Sequence, residues 1–161
     1  MGSSMDRIRR VLFVCTGNIC RSPLAEAMLE AKLEQRGIGD RIEVDSAGTV
    51  TDHLGEQADT RMRRTARRYG IRIDHRARRI TPDDLRRFDL VVGMDDRHLA
   101  TLRSLADGHS VQIRKLREFD AGKDAPDVPD PWYGGMDGFE RVYEMVERSC
   151  DALADWLADR I

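Results

Sequence analysis

Val11-Leu12-Phe13-Val14-Cys15-Thr16-Gly17-Asn18-Ile19-Cys20-Arg21-Ser22-Pro23 joins an apolar run to a helical pattern through a loop that holds two cysteines and an arginine. The four apolar residues suit a strand buried on both faces, which puts Cys15 at its C-terminal end. Pro23 suits a first helical position, and Leu24, Ala27, Met28 and Ala31 recur at helical spacing until Gly37 closes the helix. A loop bent back ahead of a helix turns backbone N–H groups into one concavity, and the helix dipole adds partial positive charge. Such a cup takes a phosphate-sized dianion, and the same field favours thiolate over thiol at Cys15. Arg21 adds a planar fork able to hold two oxygens of a transferring phosphoryl group.

Other phosphate cradles do not match. A nucleotide-binding loop needs a second glycine followed by Lys and Ser or Thr, and dinucleotide binding needs its glycine fingerprint after the first strand; the chain has neither.

The same alternation continues along the chain. Ile42 to Gly48 reads as a short strand, followed by a helical pattern from about Gln57 to Tyr69 closed by Gly70. Phe88 to Met94 reads as another buried strand, leading to a helix through Leu99, Leu102 and Leu105. Val111 to Leu116 is a final strand, Asp120 to Gly138 a Pro- and Gly-rich loop, and Phe139 to Leu157 a long closing helix. The expected fold is α/β: one domain over residues 5–161, with a four-stranded twisted parallel sheet, helices on both faces and the phosphate-binding loop after the first strand. Sites in such sheets lie beyond the strand C-termini, which groups Cys15, Ser46 and Met94-Asp95 on one edge.

The chain has 161 residues, enough for one sizeable core, and a net charge of −2. No apolar run approaches the roughly 18 to 20 residues of a membrane span, and no signal peptide is evident, so a cytoplasmic protein without membrane partners is expected. Met1-Gly2-Ser3-Ser4 reads as an expression-tag remnant. Cys15, Cys20 and Cys150 are too sparse for a disulfide framework or a zinc cluster. Cys20 shares the loop with Cys15 and is placed to form a reversible disulfide that shields it from over-oxidation; Cys150 falls in a helical pattern and reads as core. Between Arg61 and Arg79 nine arginines face one acid, Asp74. Arg61, Arg64 and Arg68 share a helix face, which reads as solvated surface that helps to attract acidic phosphorylated substrates. Few aromatics interleave with them, which argues against nucleic acid.

A thiolate attacking a phosphomonoester expels a poor leaving group unless an acid protonates it. Pro126-Asp127-Val128-Pro129-Asp130-Pro131-Trp132-Tyr133 supplies acids in a stiffened loop, with Trp132 and Tyr133 as walls for an aromatic ring. Asp130 is the chosen acid, although physical reasoning alone leaves Asp127 open.

Val14-Cys15-Thr16-Gly17-Asn18-Ile19-Cys20-Arg21-Ser22-Pro23, Asp45-Ser46-Ala47-Gly48-Thr49, Asp74-His75-Arg76-Ala77-Arg78, Gly93-Met94-Asp95 and Pro129-Asp130-Pro131-Trp132-Tyr133-Gly134 resemble, in order and spacing, the low-molecular-weight protein tyrosine phosphatase family. The resemblance spans the chain from Arg9. It implies Cys15 as nucleophile forming a phosphocysteine, Arg21 as phosphate clamp, and Asp130 as acid and then as base for the hydrolytic water, with no metal or cofactor. It further implies that Thr16, Gly17, Asn18, Ile19, Cys20 and Ser22 form the substrate loop, with Asp52, His53, Trp132 and Tyr133 around the substrate ring. Asn18, in a left-handed conformation, is then held by Ser22, Ser46 and His75, and Ser22 hydrogen-bonds the Cys15 thiolate. The implied partners are phosphotyrosine proteins, with phosphate and other oxyanions as inhibitors, and the implied state is a monomer.

The chain departs from the family pattern at three sites. Asp52-His53 replaces a common aromatic wall residue, Trp132 stands where tyrosine is common, and His98 replaces a usual asparagine and is expected to be peripheral. Arsenate reductases share this kind of loop but use a cysteine relay and no acid loop. Protein-arginine phosphatases are closer rivals, yet they tend to carry threonine where Ile19 stands. A non-catalytic phosphotyrosine-binding module would be expected to lose Cys15 or Asp130.

Overall fold

In the computed structural model the apolar run forms strand β1, Arg10–Cys15. Val11, Leu12, Phe13 and Val14 are fully buried. Successive side chains of a strand point to opposite faces. Accordingly Val11, Phe13 and Cys15 join one apolar cluster, while Leu12 and Val14 join the other. The structure describes residues 7–108, 110–122, 124, 126–132 and 135–161; the tag-like segment 1–4 and Tyr133 fall outside them.

The other elements follow in chain order: α1 Arg21–Gln35, β2 Glu43–Gly48, α2 Thr60–Arg68, α3 Asp84–Arg87, β3 Leu90–Gly93, α4 Asp96–Ala106, β4 Gln112–Lys115, α5 Glu118–Ala121 and α6 Met136–Ala158. The four strands form one parallel sheet in the order β2-β1-β3-β4. Helices α1 and α6 pack on one face through Leu24, Met28, Val142 and Val146. Leu85 of α3 and Leu102 and Ala106 of α4 cover the other face. The expected four-stranded α/β architecture is therefore the observed one.

From β1 the chain moves to β2 on one side and returns to β3 on the other. That reversal opens a crevice beyond the strand ends, between β1 and β3. The register sets Cys15 opposite Gly48 and Val14 opposite Gly93, so Cys15, Gly48 and the Met94-Asp95 corner share one edge.

Boundaries differ from expectation for local reasons. Helix α1 begins at Arg21, so Pro23 occupies the third position, still within the turn whose N–H groups lack helical partners. It ends in a Schellman arrangement: Gly37 N–H bonds Glu34 O at 3.0 Å and Ile38 N–H bonds Leu33 O at 3.1 Å, with Gly37 at φ +73°. Helix α2 starts at Thr60 rather than near Gln57, because the Asp59 carboxylate accepts from the N–H groups of Arg61 (2.8 Å) and Met62 (3.3 Å). The Pro- and Gly-rich stretch from Asp120 to Gly138 is flanked by α5 and loses its last residues to α6.

Candidate active site

Residues 16–20 curl around a concavity at the switch point. Their carbonyls are tied outward: Thr16 O accepts from Thr49 and Val50 N–H at 2.9 and 3.1 Å, and Ile19 O from Asp59 N–H at 2.7 Å. The backbone N–H groups of Gly17, Asn18, Ile19 and Cys20 have no hydrogen-bond partner among the described residues. Consecutive unpaired N–H groups ahead of a helix make an anion-binding nest.

Asn18 holds this shape. Its backbone is left-handed, φ +58°, and its side chain is wholly buried. Asn18 Nδ2 donates to Ser22 Oγ (2.9 Å) and Ser46 Oγ (3.0 Å), while Oδ1 accepts from Arg78 N–H (2.9 Å) and faces His75 Nε2 (3.1 Å). Both amide protons and both carbonyl lone pairs are thereby used. The same His75 Nε2 lies 2.9 Å from Asn18 O. Both its neighbours there are acceptors, so Nε2 carries the proton. A left-handed non-glycine residue costs on the order of 1 kcal/mol, which four side-chain bonds offset. Gly48 permits the loop's approach to β2: a Cβ there would lie 2.7 Å from Thr16 O.

The donor chain continues to a residue that the sequence reading missed. Ser46 accepts from Asn18, so its own proton goes to Glu26 Oε1 at 2.6 Å. Burial pushes the Glu26 carboxyl up to about 7. By the same logic Ser22, accepting from Asn18, has its proton available to Cys15 Sγ, 2.9 Å away. Ser22 is therefore no helix cap.

The concavity is a cavity of about 180 Å³. Cys15, Thr16, Gly17, Ile19, Cys20 and Arg21 form its floor and sides, and Val50, Asp52, His53, Asp130 and Trp132 its mouth. Asn18 and Ser22, expected with the substrate loop, turn their side chains into the scaffold behind it. Val50 was not anticipated. Arg21 is almost fully buried; Nη1 donates to Asp95 Oδ2 (3.2 Å) and Val128 O (3.0 Å), and Nη2 lies 3.7 Å from Asp130 Oδ2. Asp130 Oδ1 accepts from Trp132 N–H at 3.0 Å, a turn that aims the loop at the cavity. Asp127 lies elsewhere, its carboxylate 2.9 Å from Lys115 Nζ. The Trp132 ring tilts against His53, centroids 5.4 Å apart, and its outer face carries Arg61.

A family model described as low molecular weight phosphotyrosine protein phosphatase matches residues 10–160. The chain belongs to this family. A low molecular weight protein-tyrosine-phosphatase of Streptomyces coelicolor is 49% identical over 149 residues, covering 89% of this chain and 90% of the relative. The crystal structure of a protein tyrosine phosphatase from Entamoeba histolytica, with Hepes in its active site, matches at TM-score 0.89 and 36% identity, covering 93% of this chain and 97% of that one. A Drosophila arginine phosphatase matches at TM-score 0.84 and 31% identity, covering 90% and 95%.

One position of this low-molecular-weight phosphatase chain overturns an expectation. His98 is not peripheral: it is buried, and its Nε2 lies 3.0 Å from Thr16 Oγ1 in the loop itself. Nδ1 accepts from the N–H groups of Met94 (3.2 Å) and Asp95 (3.3 Å), so the proton sits on Nε2 and is donated to Thr16. Asp95 Oδ1 accepts in turn from His98 N–H at 3.1 Å, closing a capping box for α4. A histidine three residues after a helix-start aspartate carries no signal that it touches a loop so far back in sequence.

Burial, with the Arg21 charge next in weight, lowers the His98 pKa to about 4. Between roughly pH 6.5 and 4 the unfolded chain then binds more protons than the folded one, so stability falls as pH drops through that window. Urea unfolding should find the parent losing up to about 3 kcal/mol more than His98→Asn between pH 7 and pH 4. Parallel profiles for the two proteins would refute this.

Proposed function

We propose that the chain is a protein tyrosine phosphatase that hydrolyses phosphotyrosine and aryl phosphomonoesters through a phosphocysteine on Cys15. The observation that carries this is the convergence of the Cys15 sulfur, the Arg21 guanidinium and the Asp130 carboxyl on one cavity walled by Trp132 and His53. The Cys15 thiolate attacks phosphorus, forming an S–P bond as the bond to the aryl oxygen breaks. Asp130 delivers its proton to that oxygen. The carboxylate then takes a proton from a water that attacks the phosphocysteine, and the sulfur leaves with the Ser22 proton hydrogen-bonded to it. The loop N–H groups and Arg21 hold the equatorial oxygens throughout. Thr16, which accepts from His98 and lies 3.4 Å from Arg21 Nη2, adds its own hydroxyl proton.

Ile19 and Val50 make the throat apolar beneath the aromatic wall, which suits a phenyl ring. The arginine phosphatase neighbour keeps phosphoarginine as the second reading. Cys150 is fully buried with its sulfur against Ala25 O at 3.8 Å and does not line the cavity, which disfavours arsenate reduction. Phosphate release from phosphotyrosine, phosphoserine and phosphoarginine peptides tests the choice: phosphotyrosine should be preferred, and a preference for phosphoarginine would overturn it. A cytoplasmic monomer acting on phosphotyrosine proteins and inhibited by phosphate completes the proposal.

Cys20 extends the reading to redox control. Its thiol also lines the cavity and is pushed up by burial first, then by Asp59 and Cys15, so it stays protonated. Peroxide oxidises Cys15 to the sulfenic acid, and the Cys20 sulfur displaces water to close a disulfide. Inactivation reversed by thiol, with a Cys15–Cys20 cross-link in the mass spectrum, is the expected result. Irreversible loss without the cross-link would exclude it.

A further inference from the structure

A second concavity, of about 160 Å³, shares none of the catalytic cavity's residues. Four arginines line it, Arg63 and Arg67 from α2 and Arg72 and Arg76 from the segment that follows, with Asp74 as the only acid on its wall among the described residues. Two of the four guanidiniums are engaged by neutral acceptors. Arg63 donates to Ala58 O (3.0 Å) and Thr60 Oγ1 (3.3 Å), and Arg76 to Gly55 O (3.3 Å). Arg67 and Arg72 have no hydrogen-bond or ion-pair partner among the described residues. Arg63 and Arg67, which lie on α2 beside the Arg61, Arg64 and Arg68 face, thus converge with Arg72 and Arg76 on a hollow large enough for one tetrahedral oxyanion or a carboxylate.

The hollow is close to the catalytic mouth. Asp52 and His53 line the mouth and Gln57 lines the arginine hollow, so the two are four residue steps apart, across the strip Leu54-Gly55-Glu56. Four residues span at most about 14 Å even when fully extended. The strip is pinned, since Gly55 N–H bonds Ala77 O (2.8 Å) and Ala77 N–H bonds Glu56 O (2.9 Å). An extended peptide with its phosphorylated ring in the catalytic cavity covers that distance in about four residues.

Building on the proposed phosphatase activity, we propose that Arg63, Arg67, Arg72 and Arg76 form a docking pocket for an oxyanion carried by the phosphotyrosine substrate itself. The groups it fits are an aspartate, glutamate or second phosphorylated side chain a few residues from the scissile phosphate. The pocket therefore selects substrates with acidic flanks, while the catalytic cavity selects the ring. Small aryl phosphates do not reach it.

The test compares three phosphotyrosine peptides at low salt, one with neutral flanks and two with an acidic run on either side. Each is assayed with the parent and with Arg67→Gln/Arg72→Gln, whose substituted residues are exposed and support no internal contact. For the parent, at least one acidic peptide should have a KM about 5- to 10-fold below the neutral one, at similar kcat, with the advantage shrinking as salt is raised. The double variant should lose that advantage while turning over the neutral peptide and nitrophenyl phosphate as the parent does. Equal KM for all three peptides in the parent, or an acidic advantage that survives the substitutions, would overturn the proposal. Inhibition of nitrophenyl phosphate turnover by inorganic phosphate should be the same in both proteins; weaker inhibition of the variant would assign the pocket to free oxyanion instead. Absence of phosphotyrosine turnover in the parent would reject the phosphatase reading, a result distinct from equal KM values.

Discussion

Cys15→Ser should lower aryl phosphate turnover by at least about 10⁴-fold while leaving phosphate binding in place. The exchange of sulfur for oxygen is nearly isosteric. What it removes is sulfur, the intrinsically stronger nucleophile, and what it leaves is a hydroxyl with no base beside it among the described residues. The neighbour at 2.9 Å, Ser22 Oγ, already accepts from Asn18 and is far too weak a base to activate an alcohol. The elements that shape the cup do not pass through the sulfur: Asn18 is held by Ser22, Ser46, His75 and Arg78, and Arg21 by Asp95 and Val128. Calorimetric titration with phosphate should therefore find a dissociation constant within a few-fold of the parent's. Substantial turnover by the variant would reject covalent catalysis at Cys15, and loss of phosphate binding would mean that the thiol itself builds the cup.

Asp130→Ala should slow kcat by about 10²-fold or more on substrates with poor leaving groups. The dependence on leaving group is the sharper part of this expectation. A nitrophenolate departs without much help, whereas the tyrosine phenolate needs a proton, so the variant should lose more on phosphotyrosine than on nitrophenyl phosphate. Asp127→Ala is the control. Its carboxylate is engaged by Lys115 Nζ at 2.9 Å, so its removal should change turnover by no more than a few-fold. A large loss with Asp127→Ala and none with Asp130→Ala would reverse the assignment.

Much of this molecule was legible in its sequence, and the reasons differ by region. Strands β1 and β3 announced themselves because a parallel strand covered on both faces reads as an uninterrupted apolar run. Cys15, Arg21 and their loop were legible because strand end, glycine and helix start fall within a dozen residues. The choice of Asp130 over Asp127 was not, since two acids in one proline-rich loop differ only in what lies across from them. His98 was misjudged for a related reason: its partner Thr16 is 82 residues away, and no local pattern encodes a contact across that distance. Glu26 escaped notice as one of several acids on a helix, although it accepts the last proton of the chain that starts at Asn18. Periodicity places Arg61, Arg64 and Arg68 on one helix face but says nothing of Arg63 and Arg67 meeting Arg72 and Arg76.

Apart from Asn18 to Ser22, the bonds that hold the loop leave its own sequence. Asn18 bonds to Ser46, His75 and Arg78, at separations of 28, 57 and 60 residues, and Arg21 to Asp95 and Val128, at 74 and 107. Contacts of such high order form only once most of the chain has been threaded into place. The motif is thus not a portable cassette: excised as a peptide, or grafted onto a scaffold that lacks the second strand and the segment after α2, it would carry the residues but not the cup.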